Sequence, residues 1–411
     1  MNHQTKLYLG KIIEYHRNVL FAGTKDKQYA KEYFSSRLVQ GELITICSPT
    51  TYRKLTNDIP VKNEDIYLEL LRKLNLTYQA TSIVYKKEFT KNGMRILETY
   101  MYGDYDAVAS MITHLLATFN TDDAYEKELA YVLHMIHEMM RVKHSIVDAS
   151  QMERVYTLYD IYPQWIQKML LTAIYNYLII THQTHKTEDF IDTLQDHPLE
   201  QVSRMYYYID NQVHLDKVDA MYQKLMDVFT KQKNYYRLLE IKEYQLKYNN
   251  LLGIANEALI DEIEYMFTTY ELPNHARKSY LYFLGKMYNR TASYEKAKMI
   301  FEECLRLDPN MMTYILSYYF YCLHKTDSLI QVDPIVYDKL SEQQRAIYTY
   351  FTLDPKDCGK REDYILKELA CPKIMKMEYM HDLVLKELRK NVRMTKHYVK
   401  LEQFLSKIDE F

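Results

Sequence analysis

Glycine and proline are scarce, at 8 and 9 of 411 residues, and that scarcity excludes whole classes of chemistry. Phosphate-cradling loops and dinucleotide fingerprints need glycines at fixed spacing, and neither pattern occurs. The five cysteines (Cys47, Cys304, Cys322, Cys358 and Cys371) are scattered without a Cys-x-x-Cys pair, as suits reduced thiols in a cytosolic protein. No apolar run reaches the length of a membrane span, and the segment Met1–Lys11 lacks the apolar core of a signal peptide. A soluble, cytoplasmic protein with no membrane partner is therefore expected. The formal net charge is −2, so the molecule does not bind polyanions through a bulk field. Catalytic constellations are poor too. His134, His137 and Glu138 share a helix face at metal-ligand spacing, but His137-Glu138-Met139-Met140-Arg141 is not the His-Glu-x-x-His run of zinc proteases. A satisfied helix face explains them better than a metal, and Arg141, Lys143 and His144 read as a solvated basic run. No enzyme, metal or cofactor is expected.

What the chain has in excess is tyrosine, 42 residues against the single Trp165. Rings with a polar tip suit packing between helices, and they can also line a peptide groove. The densest pattern runs from Lys278 to Pro309. It carries Leu284-Gly285, Tyr288, Tyr294, Ala297, Phe301, Cys304 and Pro309. A small residue lets two antiparallel helices approach, aromatics fill the groove between them, and proline ends the second helix. This spacing resembles a tetratricopeptide repeat, with Leu281 in place of the opening tryptophan and Cys304 in place of the late alanine. One such pair cannot bury its apolar face alone, so the resemblance implies stacked neighbours.

The first 78 residues differ in charge from the rest. They hold 12 Lys/Arg and 8 Asp/Glu, a net of +4 against −6 for the remainder. Leu7–Val19 and Lys25–Phe34 read as helices, and a short apolar segment, Glu42–Ile46, follows. Ser48 is placed to cap a helix with Pro49 at its first position, where the missing N–H costs nothing. That helix, Pro49–Thr56, buries Tyr52 and Leu55 and turns Thr50, Thr51, Arg53 and Lys54 outward. A turn at Asn57–Pro60 leads to an amphipathic helix, Asn63–Leu74, with Ile66, Leu70, Leu71 and Leu74 inward. Hydroxyl and guanidinium groups on a short capped helix suit base edges and phosphates in a major groove.

The stretch Ile46–Leu76 resembles the helix-turn-helix of the peptide-pheromone-responsive regulators of Gram-positive bacteria, the Rgg, PlcR, PrgX and NprR type. Cys47-Ser48 matches its start, Leu55 its buried aliphatic and Pro60 its turn. Thr56 stands where the family has Glu, and the family's Gln-x-x-Leu-Ala signature in the preceding helix is replaced by Ser35–Thr45. The resemblance implies an all-α fold: a helix-turn-helix domain over 1–78, a linker over 79–104, a tetratricopeptide-like array over 105–325 and a C-terminal helical cap or dimerisation region over 326–411. It also implies a homodimer on double-stranded DNA, switched by a short signalling peptide in quorum sensing. DNA contacts would come from Ser48, Thr50, Thr51, Arg53 and Lys54. Peptide contacts would come from the α-helical stripe Ser279, Tyr282, Lys286 and Asn289, with Tyr207, Asn211, Tyr244 and Asn249 in earlier repeats. An Asn amide both donates to a peptide carbonyl and accepts from its N–H. Two other readings stand beside this one: a phage arbitrium-type peptide receptor, and a Rap-like protein-binding adaptor without DNA binding. Along the rest of the chain, helices are expected at Ala107–Phe119, Asp123–Val142, Pro163–Thr181, Leu199–Val213, Lys217–Thr230, Tyr235–Tyr248, Ile254–Tyr270, Ala276–Asn289 and Tyr294–Leu305. Beyond Pro309 the pattern continues through Thr313–His324, Ser341–Thr352, Lys360–Leu369 and Ile374–Phe411, with breaks at Asp333-Pro334 and Asp354-Pro355.

Overall fold

The structure, a computed structural model, describes residues 1–408 except 40–41, 120–121, 142–148, 182, 327–336, 339, 376 and 378–379. The described residues form 22 α-helices and one two-stranded antiparallel hairpin, so the fold is all-α. Two compact units divide the chain, Met1–Tyr244 and Gln245–Phe411. The expected run Lys143-His144 and the Asp333-Pro334 break lie outside the described residues.

The first unit opens with α1 (His3–Thr24), capped by Asn2, whose Oδ1 accepts the Thr5 N–H at 2.7 Å. After the short α2 (Lys31–Phe34) comes the hairpin of β1 (Ser36–Val39) and β2 (Glu42–Thr45), in register Ser36 to Thr45. The resemblance calls for a helix in this place. Instead, Ser36–Val39 and Glu42–Thr45 fold as strands, a local preference that residues such as Val39, Ile44 and Thr45 share. Helices α3 (Pro49–Thr56) and α4 (Glu64–Lys73) follow, and α4 has Asn63 as its cap, acids in its first turn and cations in its last.

Residues 79–104, read as a linker, contain a fifteen-residue helix, α5 (Lys87–Met101). Gly93 sits in its middle because the helix is pressed against Trp165: a Cβ there would lie 2.2 Å from the indole ring. The rest of this unit is α6 (Tyr105–Leu116), α7 (Ala124–Arg141), α8 (Ala149–Thr157), α9 (Gln164–Ile180), α10 (Thr184–Thr193), α11 (Pro198–Asn211), α12 (Val218–Lys231) and the first part of α13 (Tyr235–Leu252). Asp123 is fully buried and holds the 79–85 segment to the start of α7. Its carboxylate accepts from the Gln79 and Tyr125 N–H groups at 2.8 and 2.9 Å and from the Tyr85 hydroxyl at 3.1 Å.

The second unit contains α14 (Glu257–Thr269), α15 (Asn274–Arg290), α16 (Tyr294–Leu307), α17 (Met312–Lys325) and five further helices. Those five are Glu342–Thr352, Cys358–Tyr364, Pro372–Met375, Met380–Thr395 and Tyr398–Ile408. Its core gathers Phe301, Ile315, Phe320, Ile347, Tyr350, Ile365, Leu388 and Phe404. The continuous helix expected over Ile374–Phe411 is broken instead: Lys396, at φ 66°, stops Met380–Thr395 in a left-handed turn. The pattern Leu281, Leu284, Ala297, Phe301 and Cys304 is buried between α15 and α16, and a Cβ on Gly285 would lie 2.4 Å from the Phe301 ring.

Candidate functional site

Helix α3 is a short helix held from below. Ser48 Oγ accepts the Thr51 N–H at 3.1 Å and lies 2.9 Å from Thr51 Oγ1, so its hydroxyl is engaged in capping. Tyr52 and Leu55 point into the unit. The Tyr52 hydroxyl donates to Glu14 Oε2 on α1 at 2.6 Å, and Leu55 packs where Gly10 lets α1 come close. Glu14 in turn accepts from Arg17 at 2.7 and 3.0 Å, and Arg17 donates to the Tyr29 carbonyl at 2.9 Å. Burial alone would raise the Glu14 carboxyl. Donation from Arg17 and Tyr52 outweighs it and holds the group below the ordinary carboxylate range. Burial, with the Glu14 carboxylate beside it, pushes the Tyr52 hydroxyl far above the ordinary phenol range. From α4, Lys73 donates to the carbonyls of Tyr33, Phe34 and Ser36 at 3.2, 3.2 and 2.6 Å, tying down the chain that leads into the hairpin.

The side chains that face outward from this base are Thr50, Arg53 and Lys54, all exposed, with Thr51 half-buried. Among the described residues Arg53 and Lys54 have no ion pair. The helix thus presents one hydroxyl and two uncommitted cations from a backbone that its neighbours fix.

The residues read as a peptide surface separate. Ser279 is exposed, and Tyr282 and Lys286 are half-buried, with Lys286 Nζ 5.2 Å from the centre of the Tyr282 ring and 4.9 Å from that of Tyr318. Asn289 departs from the stripe. It is 2 % exposed, and its Nδ2 donates to the Tyr318 carbonyl at 3.1 Å and the Cys322 sulfur at 3.3 Å. The reason is α17, which covers this end of α15, so Asn289 faces that helix and not an open groove. Its Oδ1 is buried without a partner.

In the first unit Tyr207 is buried. Asn211 is exposed but spends its Nδ2 on the Tyr175 hydroxyl and the Tyr207 carbonyl, both at 3.0 Å. Tyr244 is half-buried, donates to Glu240 at 3.3 Å and packs its ring 5.0 Å from Tyr206. Asn249, in the second unit, accepts from Gln245 Nε2 at 2.9 Å.

One feature escaped the sequence. Tyr244 lines a small cleft with Lys168, Tyr175, Ser203, Tyr206 and Arg237. Its volume is about 20 Å³, room for roughly one water. Arg237 forms its wall, 3 % exposed and held by Glu240 at 2.5 Å and by the Met101 and Tyr100 carbonyls at 3.1 and 3.2 Å. Arg237 follows an unremarkable Tyr235-Tyr236 pair, and nothing in that spacing signals its burial.

His134 is exposed, and His137 lies 3.2 Å from the Glu138 carboxylate. Among the described residues no group of three or more His, Cys, Asp or Glu side chains is placed to hold a metal, and no helix is long and apolar enough to cross a membrane. No protein family, no curated protein and no solved structure matches the chain.

Proposed function

We propose that this chain is a DNA-binding transcription regulator that contacts duplex DNA through α3, and that a short signalling peptide bound on the helical-repeat surface sets its activity. The observation that carries the reading is the presentation of Thr50, Arg53 and Lys54 on a capped, rigidly seated helix. Preorganised cations and hydroxyls are what phosphate and base-edge contacts require. Peptide contacts would fall to exposed Ser279 and to the half-buried Tyr282 and Lys286. The peptide must bind the DNA-competent and incompetent states unequally, since equal binding shifts nothing. Homodimerisation on a paired site belongs to the same reading.

Binding to the DNA upstream of its own gene, measured across a salt series, tests it. Arg53→Ala with Lys54→Ala should weaken specific binding by about 10- to 100-fold and reduce the salt slope by about 2. Binding that is absent, or indifferent to the double variant, would remove α3 from any DNA interface.

One observation favours a second reading, a protein-binding adaptor of the Rap-like kind. The element before α3 is the β1–β2 hairpin and not a helix, and a hairpin edge offers unpaired backbone groups for strand addition by a partner. An adaptor would be indifferent to the loss of Arg53 and Lys54.

A further inference from the structure

The helix Met380–Thr395 carries its lysines and arginines on one side only. Lys386, Arg389, Lys390 and Arg393 are all exposed and stand three or four residues apart, with exposed Lys396 just past the helix end. Residues so spaced share one face, and at 3.6 residues per turn these four helical cations occupy roughly a third of the circumference. The opposite face is the packing face, where Leu383, Val384, Leu388 and Val392 are buried.

Among the described residues no ion pair neutralises this stripe. From 386 to 396 the single acid is Glu387, which is 2 % exposed and already engaged by the Tyr350 hydroxyl at 2.7 Å, Arg361 at 2.8 Å and His324 at 3.2 Å. Asp382, one turn earlier, lies 3.6 Å from His381. Among the described residues none of the five cations has an ion pair. The neighbouring helix adds to the excess. Exposed Lys325 places its Nζ 5.4 Å from the centre of the Tyr321 ring, and Lys386 shares that ring at 5.9 Å.

Like charges four residues apart, as in Lys386 with Lys390 and Arg389 with Arg393, each destabilise a helix by a few tenths of a kcal/mol. The helix dipole favours cations in the last turn alone, which accounts for Arg393; Lys386 has Asp382 one turn before it and the Tyr321 ring 5.9 Å away, while Arg389 and Lys390 gain nothing from the dipole. An anionic partner would stabilise both.

We propose that this face, with Lys325 at its edge, docks on the phosphate backbone of duplex DNA. The stripe from Lys386 to Lys396 is about 15 Å long at 1.5 Å per residue, and a duplex presents roughly one charge per 1.7 Å along its axis, so several phosphates meet it at once. A membrane fits less well. An amphipathic helix binds lipid through an exposed apolar face, whereas here that face is inside the unit and Met394, 74 % exposed, is the sole large apolar residue exposed between 386 and 396. The contact reads no sequence, and it stands whether or not α3 binds DNA.

The test uses the full chain with a labelled duplex of arbitrary sequence, anisotropy being followed across a potassium chloride series. Lys386→Gln with Lys390→Gln and Arg393→Gln should weaken binding by about 10-fold or more and lower the salt slope by roughly 2 to 3. A charge-matched control, Lys356→Gln with Lys360→Gln and Lys373→Gln, should leave both nearly unchanged. Lys386→Arg with Lys390→Arg keeps the charge and should bind as the parent does, which separates loss of contact from loss of fold. Equal losses in the stripe variant and the control would overturn the proposal. So would a parent chain that ignores duplex DNA, or one that binds anionic phosphatidylserine vesicles and not the duplex.

Discussion

Two of the helix crossings built on a glycine differ in what the glycine meets. Where α1 crosses α3, a Cβ on Gly10 would lie 2.6 Å from the Leu55 carbonyl oxygen, an atom of the backbone. Where α15 meets α16, a Cβ on Gly285 would lie 2.4 Å from the edge of the Phe301 ring. A ring can turn or be shortened; a carbonyl moves only if its helix moves. The α1–α3 crossing is therefore the stiffer of the two, although the α15–α16 crossing is the one with a recognisable sequence pattern.

The largest effect should come from Gly10→Ala. Overpacking costs about 1–3 kcal/mol, against which alanine returns up to roughly 1 kcal/mol of helix propensity. The net should be destabilising in urea denaturation. Because α3 must shift to admit the methyl group, the proposed DNA contact should weaken along with stability. Gly285→Ala should cost less, on the order of 1 kcal/mol by the same opposition of terms. Phe301→Leu in the Gly285→Ala background should then recover part of that loss, giving a coupling of about 1 kcal/mol in a double-mutant cycle. No side-chain substitution at Leu55 should rescue Gly10→Ala, since the clash is with its carbonyl. A greater cost at Gly285 than at Gly10, or rescue at Leu55, would reverse the comparison.

The two crossings also show what a sequence discloses. At α3 the signals are local: Ser48-Pro49 announces the start, and the spacing of Tyr52 and Leu55 announces the buried side. Sixteen residues separate Gly285 from Phe301, and the repeat pattern spans both. Gly10 and Leu55 are joined by no pattern, and their contact exists only once the chain has folded. The same limit explains Gly93, which no local pattern ties to Trp165 yet which serves the approach of Trp165 to α5. It explains Asn289 as well, because the stripe on α15 says nothing of α17 closing over its end. The β1–β2 hairpin was illegible for another reason. Four-residue strands give too short a window for a period of two to separate from a helical one. Lys396 stops its helix in a left-handed conformation that glycine usually takes, so the break left no mark in the composition.

The smallest effect, and the sharpest discriminator, is in acid. A hydrogen-bonded carboxylate helps pin each crossing, beside the Arg277–Glu303 pair at the second. Glu14 on α1 accepts from Tyr52 on α3 at 2.6 Å, and Asp308, just past α16, accepts from Lys278 on α15 at 2.8 Å. Burial works against ionisation at both sites, but donation from Arg17 and Tyr52 at Glu14, and from Lys278 and the Asn310 N–H at Asp308, holds both below their ordinary values of 4.5 and 3.8. A depressed carboxyl stabilises the fold fully above its unfolded value, and that contribution is lost as pH falls through the folded value. The loss at the α1–α3 crossing therefore begins near pH 4.5, and that at the α15–α16 crossing near pH 3.8. Glu14→Gln keeps an acceptor for Tyr52 but removes the charge. It should start less stable at neutral pH and lose less than the parent on acidification, with the two profiles converging from about pH 4.5 downward. Asp308→Asn should converge with the parent only at lower pH. Profiles that stay parallel for Glu14→Gln would mean that the carboxylate is as well satisfied in the unfolded chain as under Tyr52, and the α1–α3 crossing would then rest on packing against Gly10 alone.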